Sequence, residues 1–497
     1  MDNQQFKFVI IGGGIAGVTC TETLSQLLND ISDFEDRESI LLVAGSALVK
    51  TVTNFKQVSR TLEDFQIEEK QPDWITQTCP NVKVARTEVV CLDSAKHTIY
   101  TSDDKCYRYE RLCIATGASP KLIAEKCPLV LGIRDTESVS VFQSRLSGAR
   151  RVMVVGNGGI ASELVYEIEH CGVIWAIKDD SINHVFLDES AAAFMLTHVH
   201  ERKQNADSAT PSKRRTYTLD KARQAAVTRT SGSALGPDWH SGLEVTGAEP
   251  AISRNVHIES NCEVQELLTP EGVGSRNIVV DRLQGEEPQT QWPAYVKLTN
   301  GKCFGCDLVV SATGVTPNTA PFVKSGPFKV AEDGGLLVDE RMRTNVVGVY
   351  AAGDVCTVNW PPVKHWLQMR LWSQARQMGH YAAKCMLADY QEEAIEKDFS
   401  LETFAHMTNF FGFKVVLIGR FNAQGLGVEE YELLLRITPG KEYVKVVLQD
   451  GKMVGTVLIG ETDLEETFEN LIINEMDLTD YKEDLLDANV DIADYFD

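Results

Sequence analysis

Short apolar runs that end in glycine-rich turns occur twice in this sequence, about 145 residues apart, and a helical pattern follows each one. The first spans residues 6–17 and the second spans residues 151–167. The runs at 40–43 and 173–177 are apolar throughout, which is typical of parallel strands buried on both faces. Further predicted strands end in small residues at 111–117, 307–314 and 349–354. This pattern predicts an α/β fold with two Rossmann-like dinucleotide-binding domains rather than a short-period repeat.

The first glycine-rich turn directly follows the apolar residues 8–11. Gly12 allows a tight turn, Gly14 lets the backbone approach a pyrophosphate, and Gly17 lets the helix pack closely against the strand. Ala16 belongs to the same turn. The helix that follows offers N–H groups and the positive end of its dipole to phosphates. We predict that these four residues bind a nucleotide; the alternative is a glycine turn without a ligand.

The second glycine-rich turn, at residues 156–161, follows the apolar residues 152–155. Ala161 takes the third glycine position, which the fingerprint tolerates. Each fingerprint needs its own strand, turn and helix, so two in one chain indicate nucleotide binding far more specifically than one. The residues predicted to contact the second nucleotide are Gly156, Gly158, Gly159, Ile160 and Glu163.

A third motif closes the predicted strand at 349–354 with two alanines, Gly353 and Asp354. Small residues bring the backbone close to a ligand, and the carboxylate can accept hydrogen bonds from hydroxyls such as those of a ribityl chain. Taken alone, Asp354 is more often a helix N-cap. Beside two fingerprints, we favour the ligand-binding role for Gly353 and Asp354.

The order of these motifs resembles the FAD-dependent pyridine nucleotide–disulphide oxidoreductase family. The resemblance covers residues 6–180 and 256–390, and it includes Ala-Thr-Gly at 115–117 and Ser-Ala-Thr-Gly-Val-Thr-Pro-Asn at 311–318. It implies FAD at the first turn and NAD(P)H at the second. Further cofactor contacts implied by the resemblance are Thr116, Gly117 and Gly314.

The same resemblance implies the order of domains. Residues 1–140 and 318–395 would form an FAD-binding domain in two segments, and residues 141–317 an NAD(P)-binding domain between them. A smaller α+β domain, residues 396–497, would follow. Two stretches within this scheme also resemble family elements, namely the helix beneath the flavin at 371–379 and the start of the C-terminal interface domain at 404–419.

The sequence departs from the family where disulphide-reducing members carry a close cysteine pair, on the helix after the second strand. The corresponding stretch, residues 46–60, contains no cysteine, which excludes a dithiol relay from the usual position. Lys50 stands where rubredoxin- and ferredoxin-reductase-like members place a basic residue beside the flavin. A cation there would stabilise negative charge on reduced flavin. We predict that Lys50 is the catalytic residue and a cofactor contact; a solvated lysine is the alternative.

Two other parts of the thiol mechanism are not supported by the sequence. Cys303 and Cys306 have dithiol spacing, but the preceding turn at 299–301 and the predicted strand at 308–310 place them at an exposed hairpin end, so a redox role is not favoured. Thiol-active members also use a His–Glu pair from the C-terminal domain, whereas the last histidine in this chain is His406. We therefore expect an electron acceptor that is not reduced through this route.

The residues that follow the second strand of each fingerprint bear on nucleotide choice. After residues 41–43 the chain reads Ala-Gly-Ser, so an acidic contact to the FAD ribose is not expected there. After residues 175–177 come Lys178 and Asp179. Lys178 would suit a 2′-phosphate and Asp179 a 2′-hydroxyl. The sequence therefore does not decide whether NADPH or NADH is the electron donor.

Charge and composition limit the binding partners and the cellular compartments that the sequence allows. The chain has 48 Lys and Arg against 71 Asp and Glu, a formal net charge of −23, which argues against general binding to nucleic-acid phosphates or to an anionic membrane. No apolar run approaches the ~20 residues of a membrane helix, and no signal-like segment begins the chain. Twelve cysteines without regular spacing fit a reducing compartment. We expect a cytoplasmic and nuclear protein without a metal site.

Two segments look added to this plan. Residues 202–255 are polar, and their first part, 202–229, carries eight Lys or Arg against two Asp. This insertion is either a solvated loop or a contact for a partner, RNA or the nuclear import machinery. The tail at 477–497 carries eight Asp or Glu and one Lys, and its apolar residues allow packing as a short amphipathic element.

Two functional hypotheses follow. The first is an FAD-dependent NAD(P)H oxidoreductase that transfers hydride from nicotinamide to flavin and then reduces dioxygen, a quinone or another acceptor. The second is a redox-gated binding protein, in which the reduced flavin–NAD(P) complex controls partner association with little turnover. The resemblance further implies redox protection of a partner such as the tRNA-splicing ligase, contacted through the basic insertion or the C-terminal region.

Overall fold

The computed structural model describes residues 3–31, 39–199, 235–237, 243–250, 255–283, 290–482 and 484–487, and the single residues Trp239, Glu286 and Ile492. The described residues form two compact units. The first contains residues up to 119, the short stretch at 235–239 and residues 316–406; the second contains the remainder. The predicted insertion at 202–255 falls largely outside the described residues, as do its basic residues Lys213, Arg214, Arg215, Lys221, Arg223 and Arg229.

The chain begins with strands and helices of the first unit and then passes into the second. Up to residue 120 the elements are β1 (Asn3–Ile11), α1 (Ile15–Asn29), β2 (Ile40–Val43), β3 (Val49–Gln57), β4 (Glu63–Lys70), α2 (Asp73–Thr78), β5 (Val82–Ala85), β6 (Val89–Asp93), β7 (Thr98–Thr101), β8 (Cys106–Ile114) and β9 (Ala118–Pro120). From there to residue 317 they are β10 (Val130–Leu131), α3 (Thr136–Leu146), β11 (Arg151–Val155), α4 (Gly159–Glu167), β12 (Gly172–Ala176), α5 (Glu189–Val199), β13 (Asn255–Glu259), β14 (Val264–Leu268), α6 (Pro270–Arg276), β15 (Ala294–Leu298), β16 (Cys303–Cys306), β17 (Leu308–Ser311) and β18 (Val315–Pro317).

The last third of the chain contains both long and short elements. They are α7 (Ala320–Val323), β19 (Leu336–Val338), β20 (Val349–Ala351), β21 (Cys356–Val358), α8 (Trp372–Gln391), β22 (Ala405–Phe410), β23 (Phe413–Gly419), β24 (Glu432–Thr438), β25 (Glu442–Gln449), β26 (Lys452–Ile459) and α9 (Glu465–Ile473). Three short 3₁₀ turns lie at Gly353–Val355, Phe399–Leu401 and Thr479–Tyr481.

The first unit is built on a sheet with the strand order β5-β2-β1-β8-β7-β6, and β20 also pairs with β8. β1 is parallel to β2 and to β8, and β20 is parallel to β8. All four residues of β2 are buried, as its apolar run predicts. Parallel strands bring their carboxyl ends to one edge of the sheet, so the glycine turn after β1 and the motif after β20 lie at the same edge.

The second unit contains a parallel sheet with the order β10-β17-β11-β12-β13. Strands β14 to β16 form a separate antiparallel sheet. The C-terminal residues form a further sheet in the order β22-β23-β26-β25-β24, on which α9 packs. The predicted α/β fold class, with two dinucleotide-binding sheets and an α+β C-terminal part, is confirmed.

Residues 46–60, where the family resemblance points to a helix, are largely a strand. β3 pairs with β4 in an antiparallel hairpin, with Val49 opposite Lys70, Lys50 opposite Glu69 and Thr51 opposite Glu68. Residues directly opposite each other in such a pair project from the same face. Lys50 and Glu69 therefore share the buried face of this hairpin.

The prediction that Cys303 and Cys306 lie at an exposed hairpin end is wrong. The two cysteines begin and end β16, and every residue of that strand is buried. Their side chains project to opposite faces because they are three residues apart on a strand. Cys303 packs with Trp292 and Tyr295, whereas Cys306 lies in a separate apolar cluster. A disulphide between them would therefore require the strand to be broken.

The start of the acidic tail packs on the C-terminal sheet. Leu478, Leu485 and Ile492 are buried. The Lys482 ammonium group contacts both carboxylate oxygens of Glu432 on β24, at 2.7 and 2.8 Å. The amphipathic packing considered for the tail is thus present in its described part.

A half-buried carboxyl on α1 gives the first unit a pH-dependent stability. Glu22 Oε1 accepts a 2.9 Å hydrogen bond from Thr51 Oγ1 on β3. Burial raises the pKa of Glu22 from 4.5 to about 7, against the opposing effect of the Thr51 hydrogen bond. The folded chain therefore keeps this proton at pH values where the unfolded chain has lost it. Stability falls as the pH rises from 4.5 to about 7.

Replacing Glu22 by Gln should therefore stabilise the protein at neutral and higher pH. We expect Glu22→Gln to raise the free energy of unfolding by about 2 kcal/mol at pH 8 and by much less at pH 5. Denaturant midpoints at both pH values measure the difference, with Glu340→Gln, on the exposed surface of the same unit, as the control. An equal effect at the two pH values would contradict the assignment.

Candidate functional site

The first glycine turn is closed tightly on one side and open on the other. Gly12 has a φ of +127°, and a side chain there would overlap the carbonyl oxygen of Ala115. A side chain at Gly17 would overlap the carbonyl oxygen of Gly12. At Gly14, in contrast, no other part of the described chain comes within 4 Å of an added side-chain carbon. The turn therefore needs glycine for its own fold at Gly12 and Gly17, but leaves space at Gly14.

Gly14 is also the N-cap of α1 and, because it has no side chain, it does not cap that end itself. The first turn of α1 carries no acidic residue. Its N–H groups and dipole therefore point into the open space beside Gly14 and suit a phosphate. This geometry fits the predicted nucleotide site.

Ala16 is the point at which three predicted elements meet. A side chain at Gly353, which has a φ of +77°, would come within 2.9 Å of the Ala16 side chain. On α8, a side chain at Gly379 would overlap the Ala16 carbonyl oxygen. The structure thus brings together the first glycine turn, the motif at 351–354 and the helix at 372–391.

The loop that carries Asp354 is supported by an arginine that the sequence motifs do not reveal. Arg370 Nε donates a 2.9 Å hydrogen bond to the Asp354 carbonyl oxygen, and Arg370 Nη2 lies 2.7 Å from Asp333 Oδ2. Burial raises the pKa of the Asp333 carboxyl, but hydrogen bonds from Gly335, the Arg370 guanidinium and Thr357 together lower it below its usual value. No motif marks Arg370 in the sequence, because its contacts depend on loops 16 and 37 residues away.

Thr116 and Gly117 are held against the end of the 311–318 motif. Thr116 Oγ1 donates to the Asn318 carbonyl oxygen at 2.8 Å, and Asn318 Nδ2 donates to the Thr116 carbonyl oxygen at 2.9 Å. The Asn318 N–H donates to the Gly117 carbonyl oxygen at 2.9 Å. Gly314, in the second unit, has a φ of +101°. The first unit therefore joins two of the quoted motifs directly.

Lys50 is buried, with 2% of its surface exposed, so it is not a solvated lysine. Its backbone N–H donates a 3.0 Å hydrogen bond to the carbonyl oxygen of Gly13, in the first glycine turn. Its ammonium group forms an ion pair with Glu69. Lys50 is thereby fixed to the same turn as Gly12 and Gly14.

A carboxylate lies at the end of β2 even though the sequence after β2 lacks one. A side chain added at Gly45 would meet Glu88 Cγ at 2.8 Å and Glu88 Oε1 at 3.6 Å. Glu88 comes from the segment before β6, so no local pattern indicates it. The strand end therefore has an acidic group contributed by another part of the first unit.

The second glycine turn repeats the geometry of the first. Gly156 has a φ of +131°, and a side chain there would overlap the carbonyl oxygen of Ala312. At Gly158, within the described chain, no other atoms lie within 4 Å of an added side-chain carbon. Gly158 is the N-cap of α4 and again provides no side-chain cap, and the first turn of α4 carries no acidic residue. An open space and a helix N-terminus therefore coincide here too.

The remaining predicted residues of this turn are also on α4. Gly159 packs near the rings of Phe186 and Phe410, at 3.5 and 3.6 Å from an added side-chain carbon. Ile160 is half-buried, and Glu163 is buried with 8% of its surface exposed. All three lie within the first helical turn and a half after Gly158.

Asp179 is attached to the second glycine turn by a side chain of the turn itself. Asn157 Nδ2 donates to Asp179 Oδ2 and to the Ser181 carbonyl oxygen, each at 2.8 Å. Asn157 is itself buried. Lys178, the other predicted nucleotide contact at this strand end, is exposed.

Most of the thiols and the last histidine are buried. All twelve cysteines lie in the described part of the chain, and ten of them are buried. Burial raises the pKa of Cys303 to about 11 and that of Cys306 to about 12. His406 is also buried; its Nδ1 lies 3.0 Å from Ser373 Oγ, and burial lowers its pKa to about 3.

The sequence profile of the pyridine nucleotide-disulphide oxidoreductase family matches residues 6–379, across both glycine turns and the 351–354 motif. The chain belongs to this family. The profile of the rubredoxin NAD⁺ reductase C-terminal domain matches residues 405–476. FAD and NAD(P)H are therefore the cofactors of this chain, and the two open glycine turns fit them.

Two curated relatives are similar over almost their whole length. Pyridine nucleotide-disulfide oxidoreductase domain-containing protein 1 of Rattus norvegicus is 52% identical over 94% of this chain and 93% of its own. Its Homo sapiens counterpart is 51% identical with the same coverage. The predicted resemblance to this family is confirmed.

Two solved structures share the fold. The covalent putidaredoxin reductase–putidaredoxin complex matches with a TM-score of 0.61 and 16% identity, over 96% of this chain and 94% of that one. The water-forming NADH oxidase of Lactobacillus brevis bound to NADH matches with a TM-score of 0.62 and 15% identity, over 96% and 92%. At these identities the likeness shows the fold alone.

Among the described residues, no helix is both long and apolar enough to span a membrane.

Proposed function

We propose that this member of the family is an FAD-dependent NAD(P)H oxidoreductase that reduces an acceptor other than a disulphide. The observation that carries the proposal is the β3–β4 hairpin. It fills the stretch in which disulphide-reducing members carry their cysteine pair, and residues 46–60 contain no cysteine. Cys303 and Cys306 do not replace that pair, because they are buried on opposite faces of β16.

The chain's own residues bind and orient the two cofactors. The N-terminus of α1 and the space at Gly14 would hold the diphosphate of FAD, and those of α4 and Gly158 would hold the diphosphate of NAD(P)H. When bound, FAD supplies the ring that accepts a hydride from the nicotinamide and returns two electrons to the acceptor. The protein supplies alignment and a buried cation, Lys50. With dioxygen as acceptor, one NAD(P)H and one proton give NAD(P)⁺ and hydrogen peroxide; a quinone would give the quinol.

An anaerobic titration followed by admission of air tests this function. Purified protein should carry FAD with an absorption band near 450 nm, which NADH or NADPH should bleach. Rapid recovery in air, with peroxide formed and NAD(P)H consumed in equal amounts, supports the proposal. NAD(P)H-dependent reduction of small disulphides at a comparable rate would contradict it, and so would a protein that does not take up FAD.

A redox-gated binding protein is the second candidate. It is favoured by two segments that a minimal reductase does not need, the basic insertion at 202–255 and the acidic tail anchored to Glu432 by Lys482. In this candidate the bleached state persists in air with a long-wavelength charge-transfer band. The proposed partner is a protein that needs protection from oxidation, such as the tRNA-splicing ligase, in the cytoplasm and nucleus. Partner capture that is lost on deletion of the insertion would support this candidate.

The strand end after β12 favours NADH. Asn157 holds the Asp179 carboxylate at the second glycine turn, where it can accept a hydrogen bond from a ribose 2′-hydroxyl and would repel a 2′-phosphate. We expect Asp179→Ser to lower kcat/KM for NADH about tenfold, the effect of one lost charged hydrogen bond, without lowering it for NADPH.

Steady-state kinetics with both nucleotides measures this change. Asp180→Ser, at the exposed neighbouring position, is the matched control and should leave both values unchanged. Equal losses for NADH and NADPH in Asp179→Ser would show that Asp179 supports the fold of the turn but does not select the nucleotide. Lys178→Ala tests the opposite preference. If Lys178 binds a 2′-phosphate, this variant should lower kcat/KM for NADPH.

A further inference from the structure

Within the β3–β4 hairpin, the ion pairs Lys70–Glu68 and Lys50–Glu69 differ sharply in burial. Lys70 and Glu68 are exposed at 24% and 44% of their side-chain surfaces. Lys50 and Glu69 are exposed at only 2% and 5%. Burying two charges is costly, and such pairs often add little to stability. The buried pair therefore calls for a role beyond holding the hairpin together.

The position of the buried pair indicates that role. Lys50 lies directly opposite Glu69 in the hairpin. The backbone of Lys50 is hydrogen-bonded to Gly13, in the middle of the first glycine turn. The ammonium group therefore belongs to a residue that contacts the turn directly, and its pair with Glu69 is buried, where water screens charges weakly.

We propose that Glu69 is a positioning residue that holds the Lys50 ammonium group at the first glycine turn and offsets part of its charge, and so sets the reduction potential of bound FAD. The inference rests on the proposed function. A buried cation favours reduction because reduced flavin carries additional negative charge. A carboxylate paired with that cation weakens this effect, so the pair tunes how readily FAD is reduced.

The test compares the reduction potential of FAD in three holoproteins at one pH, measured against reference dyes. The variants are Glu69→Gln and, as the matched control, Glu68→Gln, which removes the neighbouring carboxylate on the exposed face. Glu69→Gln should shift the equilibrium towards reduced FAD about tenfold, which is about 30 mV for a two-electron couple. Glu68→Gln should leave the potential unchanged. A potential that is unchanged or lower in Glu69→Gln would overturn the proposal.

A second variant keeps the test decisive if Glu69→Gln does not fold. Glu69→Asp retains the charge but shortens the side chain by one methylene, so it should weaken the pairing and raise the potential by less than Glu69→Gln. No shift in Glu69→Asp would also count against the proposal. The same samples separate this inference from the proposed function. Wild-type protein that lacks FAD or is not bleached by NAD(P)H refutes the function, whereas normal bleaching with equal potentials in all variants refutes only the role of Glu69.

Discussion

Gly14→Ala protein is expected to fold normally and to lose most of its FAD. A methyl group at this position meets no other part of the described protein within 4 Å, and its φ of −80° suits alanine. The same methyl group would occupy the space into which the N-terminus of α1 points, where we propose that the FAD diphosphate binds. Overpacking of this kind costs about 1–3 kcal/mol, which corresponds to roughly a ten- to hundredfold loss of FAD affinity.

Flavin content at 450 nm, FAD titration of the apoprotein and the thermal midpoint of the apoprotein together measure this effect. Gly148→Ala, at a glycine whose nearest described neighbour is 4.0 Å from an added carbon, is the control and should bind FAD normally. Gly12→Ala should behave differently, because its side chain overlaps the Ala115 carbonyl oxygen and its φ is +127°. That variant should destabilise the apoprotein by about 3 kcal/mol or more. Normal FAD affinity in Gly14→Ala would refute the assignment of this turn.

Gly158→Ala should weaken NAD(P)H binding and leave FAD in place. The second turn has the same arrangement as the first, with open space at Gly158 and a side-chain overlap with Ala312 at Gly156. We expect the dissociation constant for NAD(P)H to rise roughly ten- to hundredfold, again from overpacking against a diphosphate. The thermal midpoint and the flavin content should not change.

Rapid mixing with NADH and NADPH under anaerobic conditions separates binding from the bleaching step. Gly274→Ala, at an exposed glycine in α6 with open space around it, serves as the control. Gly156→Ala should instead lower the yield or the stability of the whole protein. If Gly158→Ala lost FAD and NAD(P)H affinity together, the assignment of one cofactor to each turn would be wrong.

The features that sequence alone predicted are those governed by neighbours along the chain. The strand at 40–43 and the strand–turn–helix units around Gly12 and Gly156 have the predicted type. In each unit the glycine spacing and the apolar run act within about 20 residues, so a local pattern contains the necessary information. The order of the motifs resembles that of the family, and this resemblance indicated which cofactor binds at which turn.

The features that sequence missed depend on contacts between distant segments. Glu88 reaches the end of β2 from a loop more than 40 residues later. The Lys50–Glu69 pair exists only because β3 and β4 pair in one register, and a shift by one residue would turn Lys50 to the other face. Cys303 and Cys306 were misplaced for the same reason. Cys303 is buried by Trp292, which also covers Gly305, whereas Cys306 is buried in a separate apolar cluster. No turn signal near the cysteines reveals either contact.

The burial of the cysteines bears on how long such a catalyst survives. An oxidase that reduces dioxygen releases peroxide beside its own chain, and peroxide attacks the thiolate form of cysteine. Ten of the twelve cysteines are buried, and burial raises the pKa of Cys171 and Cys385 to about 12. The thiols of Cys171 and Cys385 therefore remain protonated at physiological pH. If dioxygen is the acceptor, as proposed above, the buried thiols are protected from the peroxide that the reaction releases.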